Sequence, residues 1–209
     1  MSRALPHPRC LLITDRHQAR RPLPDIVDAA LDAGCRWISV REKDLATAER
    51  RRLARDVVRR GHAYGALITL HGDLAGAEAA RADGVHLGQG QAPGAVRQIL
   101  GKQTLIGASV HSWAEAERAQ EDGADYVTVS PIFETESKPG YGPALGLEIL
   151  GEFCSALRTP VVALGGLTPD NAAGCLQAGA SAIAVMGEVM RAQDPGAAMA
   201  AFLERIDNA

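Results

Sequence analysis

The stretch VVALGGLTPDNAAGCLQAGASAIAV, residues 161–185, decides the reading of this chain. Val161-Val-Ala-Leu164 is a short apolar run of strand length. Thr168 stands where a helix N-cap belongs. Pro169 takes the first helical position, where a missing N–H costs nothing. The helix is expected over Thr168–Ala178. Gln177-Ala-Gly-Ala-Ser-Ala182 ends it and enters a second apolar run, Ala182-Ile-Ala-Val185. A strand, a capped helix and a strand in this order imply a parallel pair joined by a crossover.

The same unit recurs outward from this stretch. Asp32-Ala-Gly-Cys-Arg-Trp37, Arg81-Ala-Asp-Gly-Val85 and Glu121-Asp-Gly-Ala-Asp-Tyr126 also end a helix and enter a strand. Further strands are expected at Cys10–Thr14, Trp37–Val40, Ala66–Leu70, Gly84–Leu87, Leu105–Ser109 and Tyr126–Val129. Helices are expected over Leu23–Ala33, Ala46–Arg60, Leu74–Arg81, from Pro93, over Ser112–Asp122, near Leu147–Leu157 and over Pro195–Ile206. Ser112 reads as an N-cap, with Glu115 completing a capping box. Eight strands and eight helices in strict alternation give an α/β fold, a single (β/α)8 TIM barrel over residues 1–209 with brief loops. An open doubly wound sheet of eight strands is the competing arrangement.

Composition excludes several classes. Of 209 residues, 46% are hydrophobic, 22% charged and 4% aromatic, which is ordinary for a globular chain. A net charge of −3 provides no general basic field, so no nucleic-acid partner is expected. Cys10, Cys35, Cys154 and Cys175 lack metal-ligand or disulfide-framework spacing and read as isolated thiols. The first residues show no signal-length apolar core, and no run approaches the roughly 20 residues of a membrane span. A cytoplasmic protein with no membrane partner is expected.

In such barrels the chemistry sits at the C-terminal ends of the strands. Gly165-Gly166 and Met186-Gly187 follow the last two strands, where a phosphate commonly binds. Glycine lets backbone N–H groups approach an anion, and a helix starting at Gly187 would add its positive end. The polar segment Ser130–Gly146 is long for a compact domain, and Thr135, Ser137 and Lys138 on it are candidates to cover a phosphate. His111 follows a strand end and is suited to exchange protons near neutral pH. Ser109 lies just before it. His71 ends strand three, whereas His86, inside strand four, reads as structural. Arg41, Glu42 and Lys43 alternate faces, so at most two reach the mouth, and Arg41 or Lys43 is a candidate anion ligand.

These residues resemble a known family. Ile13-Thr-Asp15, Val40-Arg-Glu-Lys43, Ala82-Asp-Gly-Val-His-Leu-Gly-Gln89, Gly107-Ala-Ser-Val-His-Ser112, Gly123-Ala-Asp-Tyr-Val127, Pro131-Ile-Phe-Glu-Thr-Glu-Ser-Lys138 and Val162-Ala-Leu-Gly-Gly-Leu-Thr-Pro-Asp-Asn171 are similar to motifs of the thiamine-phosphate synthase and thiazole tautomerase family. The resemblance covers about residues 10–205 and implies a (β/α)8 barrel. Synthases join a pyrimidine diphosphate to a thiazole phosphate, with Mg²⁺ held by two aspartates. Gly72 and Gln91 stand at the matching positions, and Asp73 comes one residue late. His71 replaces a pyrimidine-binding Asn, and Ser39 a Gln.

On those two missing carboxylates the resemblance favours the thiazole tautomerase branch, an isomerase needing neither metal nor cofactor. His111 would then shuttle the proton that aromatises a carboxythiazole phosphate. Gly165, Gly166, Met186 and Gly187 would hold the phosphate of this small-molecule substrate. Arg41, Lys43 or Lys138 would meet its carboxylate or close over it. The alternatives are a synthase with an altered Mg²⁺ site and a non-catalytic phosphate-binding regulator. A homodimer is compatible with the sequence, which does not set the oligomeric state.

Overall fold

Eight parallel strands pair in chain order, and β8 closes on β1. The structure, a computed structural model, describes residues 4–135 and 143–207. The strands are β1 (Cys10–Ile13), β2 (Trp37–Val40), β3 (Leu67–His71), β4 (Gly84–Leu87), β5 (Leu105–Val110), β6 (Tyr126–Val129), β7 (Val161–Leu164) and β8 (Ala182–Val185). The helices are α1 (Leu23–Asp32), α2 (Thr47–Ala63), α3 (Leu74–Ala80), α4 (Pro93–Leu100), α5 (Trp113–Glu121), α6 (Gly146–Ala156), α7 (Pro169–Gln177), α8 (Gly187–Met190) and α9 (Pro195–Asp207). The chain is a (β/α)8 barrel, as the alternation of apolar runs and capped helices implies.

The strands are apolar throughout because both faces are covered. Leu11, Ile13, Trp37, Leu105, Tyr126, Val162, Ala182 and Ala184 fill the barrel interior. Their neighbours Cys10, Leu12, Ile38, Val85, Ile106 and Ile183 pack with the helices in the outer core. The register pairs Ser39 with Thr69, His71 with His86, and Ser109 with Thr128, so polar residues gather on neighbouring strands near the C-terminal mouth. Gly107 makes room for the Tyr126 ring, since a Cβ there would lie 2.0 Å from Tyr126 Cζ. Tyr126 in turn meets Trp37 edge-on, ring centroids 4.9 Å apart.

Three local features differ from expectation. α2 continues past Arg60 to Ala63, because Gly61 does not break it but lies directly against Ile68. Ser112 caps α5 by accepting the Glu115 N–H, yet the Glu115 carboxylate reaches one residue further back, to the His111 N–H at 2.7 Å. The helix expected to start at Gly187 is only the single turn α8, separate from α9. The cysteines are thiols, and burial pushes Cys35, Cys154 and Cys175 up to about 11, well above the range where they react as thiolates. Among the described residues no helix is long and apolar enough to cross a membrane.

Candidate functional site

A cavity of about 560 Å³ opens at the C-terminal ends of the strands. Its walls include Arg41, Lys43, His71, Ser109, His111, Thr135, Gly165, Gly166, Met186 and Gly187, which strand-end position had marked as candidates. Ser137 and Lys138 lie outside the described residues. Ile13, Leu164, Leu167 and Ala184 supply apolar wall. Sequence reading missed Gln89, Glu134, Glu188 and Arg191, which also line it. Arg191 follows α8, and its position just past a strand-eight loop was the available signal. It ion-pairs with Glu188 at 3.7 Å and hydrogen-bonds Gln18.

The charged triplet after β2 divides by alternation. Arg41 and Lys43 face the cavity, while Glu42 is buried. Arg41 is steered by the bond from its N–H to Thr14 Oγ1 at 2.9 Å and by Asp15 at 3.7 Å. Glu42 accepts the Arg16 N–H at 3.0 Å, and burial pushes its carboxyl above the ordinary range. Partial burial and the neighbouring Arg41 charge lower the Lys43 ammonium. An anion arriving there would relieve the Arg41–Lys43 repulsion.

His86 turns inward and is 2% exposed. Its Nδ1 lies 3.0 Å from the Tyr126 hydroxyl and its Nε2 2.9 Å from Ser109 Oγ. Burial, reinforced by Lys43 and Arg41, lowers its pKa to about 3, so the ring is neutral at pH 7. It touches the cavity and also fixes the Ser109 hydroxyl, so a purely structural reading of this histidine is too narrow. The His71 and His86 rings lie 5.3 Å apart. His111 Nδ1 donates to the Ser130 carbonyl at 3.1 Å.

Gly165 and Gly166 have φ of +101° and +66°. Their first role is close packing. A Cβ on Gly166 would stand 2.2 Å from the Glu134 carbonyl oxygen, and one on Gly165 2.9 Å from Pro131 Cα. The segment after β6 is laid against β7 by Ile132 N–H to Leu164 O and Phe133 N–H to Gly165 O, each 3.0 Å. The glycine pair therefore shapes the rim as well as exposing backbone to the cavity. With four residues, α8 offers its first N–H groups at Gly187 rather than the dipole of a long helix.

The residues at the synthase Mg²⁺ positions do not fit a divalent ion. Gly72 has no side chain, and Gln91 Oε1 accepts the Gly88 N–H at 2.9 Å. Asp73 is engaged in capping Gly76 N–H at 2.8 Å and in ion pairs with Arg50 at 3.2 Å and Arg51 at 3.8 Å. Mg²⁺ takes one or two carboxylates besides phosphate oxygens. Among the described residues no group of three His, Cys, Asp or Glu is placed to hold a metal.

The fold is a (β/α)8 barrel with a polar cavity at the C-terminal ends of its strands. Residues 10–189 match the family model described as thiamine monophosphate synthase, and the chain belongs to that family. It is 41% identical over 190 residues to the Thiamine biosynthesis bifunctional protein ThiM/ThiE of Symbiobacterium thermophilum, a match covering 89% of this chain and 39% of that longer one. It is 40% identical over 200 residues to the thiamine-phosphate synthase of Roseiflexus sp. strain RS-1, covering 91% of this chain and 82% of that one. The solved thiamine phosphate pyrophosphorylase from Pyrococcus furiosus superposes with a TM-score of 0.87 at 32% identity, over 96% of each chain.

These similarities overturn the tautomerase, and hence isomerase, expectation. Relatives 38–40% identical over 91–95% of this chain are thiamine-phosphate synthases by name, and none of these points to the other branch. The two missing carboxylates bear on metal ligation alone, whereas the family match runs over residues 10–189.

Proposed function

We propose that this chain is a transferase that joins a pyrimidine diphosphate to a thiazole phosphate and releases pyrophosphate. The observation that carries this reading is one cavity with two anion-facing walls. Arg41 and Lys43 extend from the end of β2, while Gly165–Gly166, Gly187 and Arg191 follow β7 and β8, with β1 between β8 and β2. Two phosphorylated substrates fit two such walls.

In this reading Arg41 and Lys43 hold the diphosphate. As the carbon–oxygen bond to it breaks, the electron pair stays with the departing diphosphate. Cations beside it then stabilise the transition state more than the ground state. The Gly166 and Gly187 side, with Thr135, takes the thiazole phosphate and presents the ring nitrogen, which forms the new carbon–nitrogen bond. Ser109, oriented by His86, and His71 with His111 contact the rings between. Ile13, Leu164 and Ala184 keep water from the electrophilic carbon. The Mg²⁺ that family membership implies would add positive charge at the diphosphate, but the residues described here do not build its ligand set.

Incubating the purified protein with both substrates and excess Mg²⁺ should yield thiamine phosphate and pyrophosphate in equal amounts. Binding of both substrates with no product would overturn the reading in favour of a non-catalytic barrel.

A further inference from the structure

The region where β3 and β4 end is neutral and already hydrogen-bonded. Gly72 has φ +70°, and its N–H donates to the His86 carbonyl at 3.0 Å. Cβ atoms placed on Gly72 and Gly88 would each lie 3.9 Å from Gln91 Oε1, so this amide oxygen sits between the two strand-end loops. The nearest carboxylate in sequence, Asp73, is held by α3 and two arginines. A hard dication finds there a neutral amide oxygen that is already accepting a bond. Positive charge is supplied instead by β2, the neighbour of β3, through Arg41 and Lys43.

We propose that this chain anchors no divalent cation of its own at the ends of β3 and β4, so that the diphosphate is met by the Arg41 and Lys43 charges of the transferase reading. The proposal rests on the transferase reading for the identity of the anion. The Arg guanidinium gives planar paired donors and the Lys ammonium a point charge, the two geometries suited to adjacent phosphoryl groups. Gly72 also has open space for a carboxylate, and Asp is among the L residues that best tolerate its φ. The missing ligand is therefore a property of the sequence and not of crowding.

The test uses Mn²⁺ in place of Mg²⁺, with free Mn²⁺ read by electron paramagnetic resonance, and inorganic pyrophosphate binding read by calorimetry. Wild-type protein alone should bind no Mn²⁺ below millimolar concentration. Its pyrophosphate affinity should change less than threefold when EDTA is added. Lys43→Ala and Arg41→Ala should each weaken pyrophosphate binding tenfold or more. Gly72→Asp combined with Gln91→Asp should gain Mn²⁺ affinity at least tenfold, and no gain would overturn the placement of the lost site. Micromolar Mn²⁺ binding by the wild type, or pyrophosphate binding abolished by EDTA, would overturn the proposal. Product formation with EDTA-sensitive pyrophosphate binding refutes this proposal alone. EDTA-insensitive pyrophosphate binding with no product refutes the transferase reading alone.

Discussion

Arg41 and Lys43 face the cavity because side chains alternate as the chain leaves β2, and Glu42 between them is turned to the Arg16 N–H. That division was readable from the triplet itself. Arg191 was not, since its place depends on where the single turn α8 sits on the barrel rim. At this scale the transferase reading makes a kinetic prediction. Removing a charge that acts on a leaving group costs on the order of 10²-fold in rate, as for other pre-placed electrostatic groups. Lys43→Ala and Arg41→Ala should each lower kcat by about that factor in steady-state assays of thiamine phosphate formation. A change confined to KM would mean these cations bind ground and transition states equally.

At the scale of elements, the segment after β6 and the turn after β7 form one rim. Gly166 was legible as a glycine just after the strand that became β7. Its contact with Glu134 was not, because the two residues are distant in sequence and meet only when β6 and β7 pair. Gly166→Ala would place a methyl 2.2 Å from the Glu134 carbonyl oxygen, in a left-handed backbone conformation. Gly90→Ala offers the comparison, with φ +81° and nothing within 4 Å of its Cβ. The second change should cost about 1 kcal/mol of strain alone. Gly166→Ala should cost roughly 1–3 kcal/mol more through overpacking. Urea unfolding of both variants checks this, and equal losses would show that the rim yields without penalty. The same contact makes Gly166 an unsuitable probe of anion binding, because a substitution there moves the rim as well.

For the whole molecule, closing the barrel buries an ionisable ring. His86 keeps a pKa of about 3 when folded and returns to about 6.5 when unfolded. Between those values the unfolded chain binds the extra proton, so stability falls as pH drops. The stability is fully present above about pH 6.5 and is lost toward pH 3, by up to about 1.4 kcal/mol per pH unit. His86→Gln should be less stable at pH 8, having lost the bonds to Tyr126 and Ser109. It should also show a flatter stability profile between pH 6.5 and 5. Urea unfolding over this range compares the two slopes, and parallel profiles would remove His86 as the source.

The sequence by itself determined the barrel, since eight apolar runs with capped helices between them leave few other ways to cover every strand on both faces. The bounds of Trp37–Val40, Gly84–Leu87, Tyr126–Val129, Val161–Leu164 and Ala182–Val185 were legible residue by residue. It also marked Arg41, Lys43, His71, Ser109 and His111 on the cavity wall, because strand ends in a closed parallel barrel converge on one mouth. Two absent aspartates misled the choice of reaction, for they report on metal ligation while the similarity to synthases runs over most of the chain. Only the tertiary structure decided which long-range partners each residue meets. Closure brought the His71 ring within 5.3 Å of the His86 ring, joined His86 to Tyr126 and Ser109, and fitted Gly166 under Glu134. Those contacts depend on register and strand curvature, which arise when all eight strands pair at once and have no local signature in the chain.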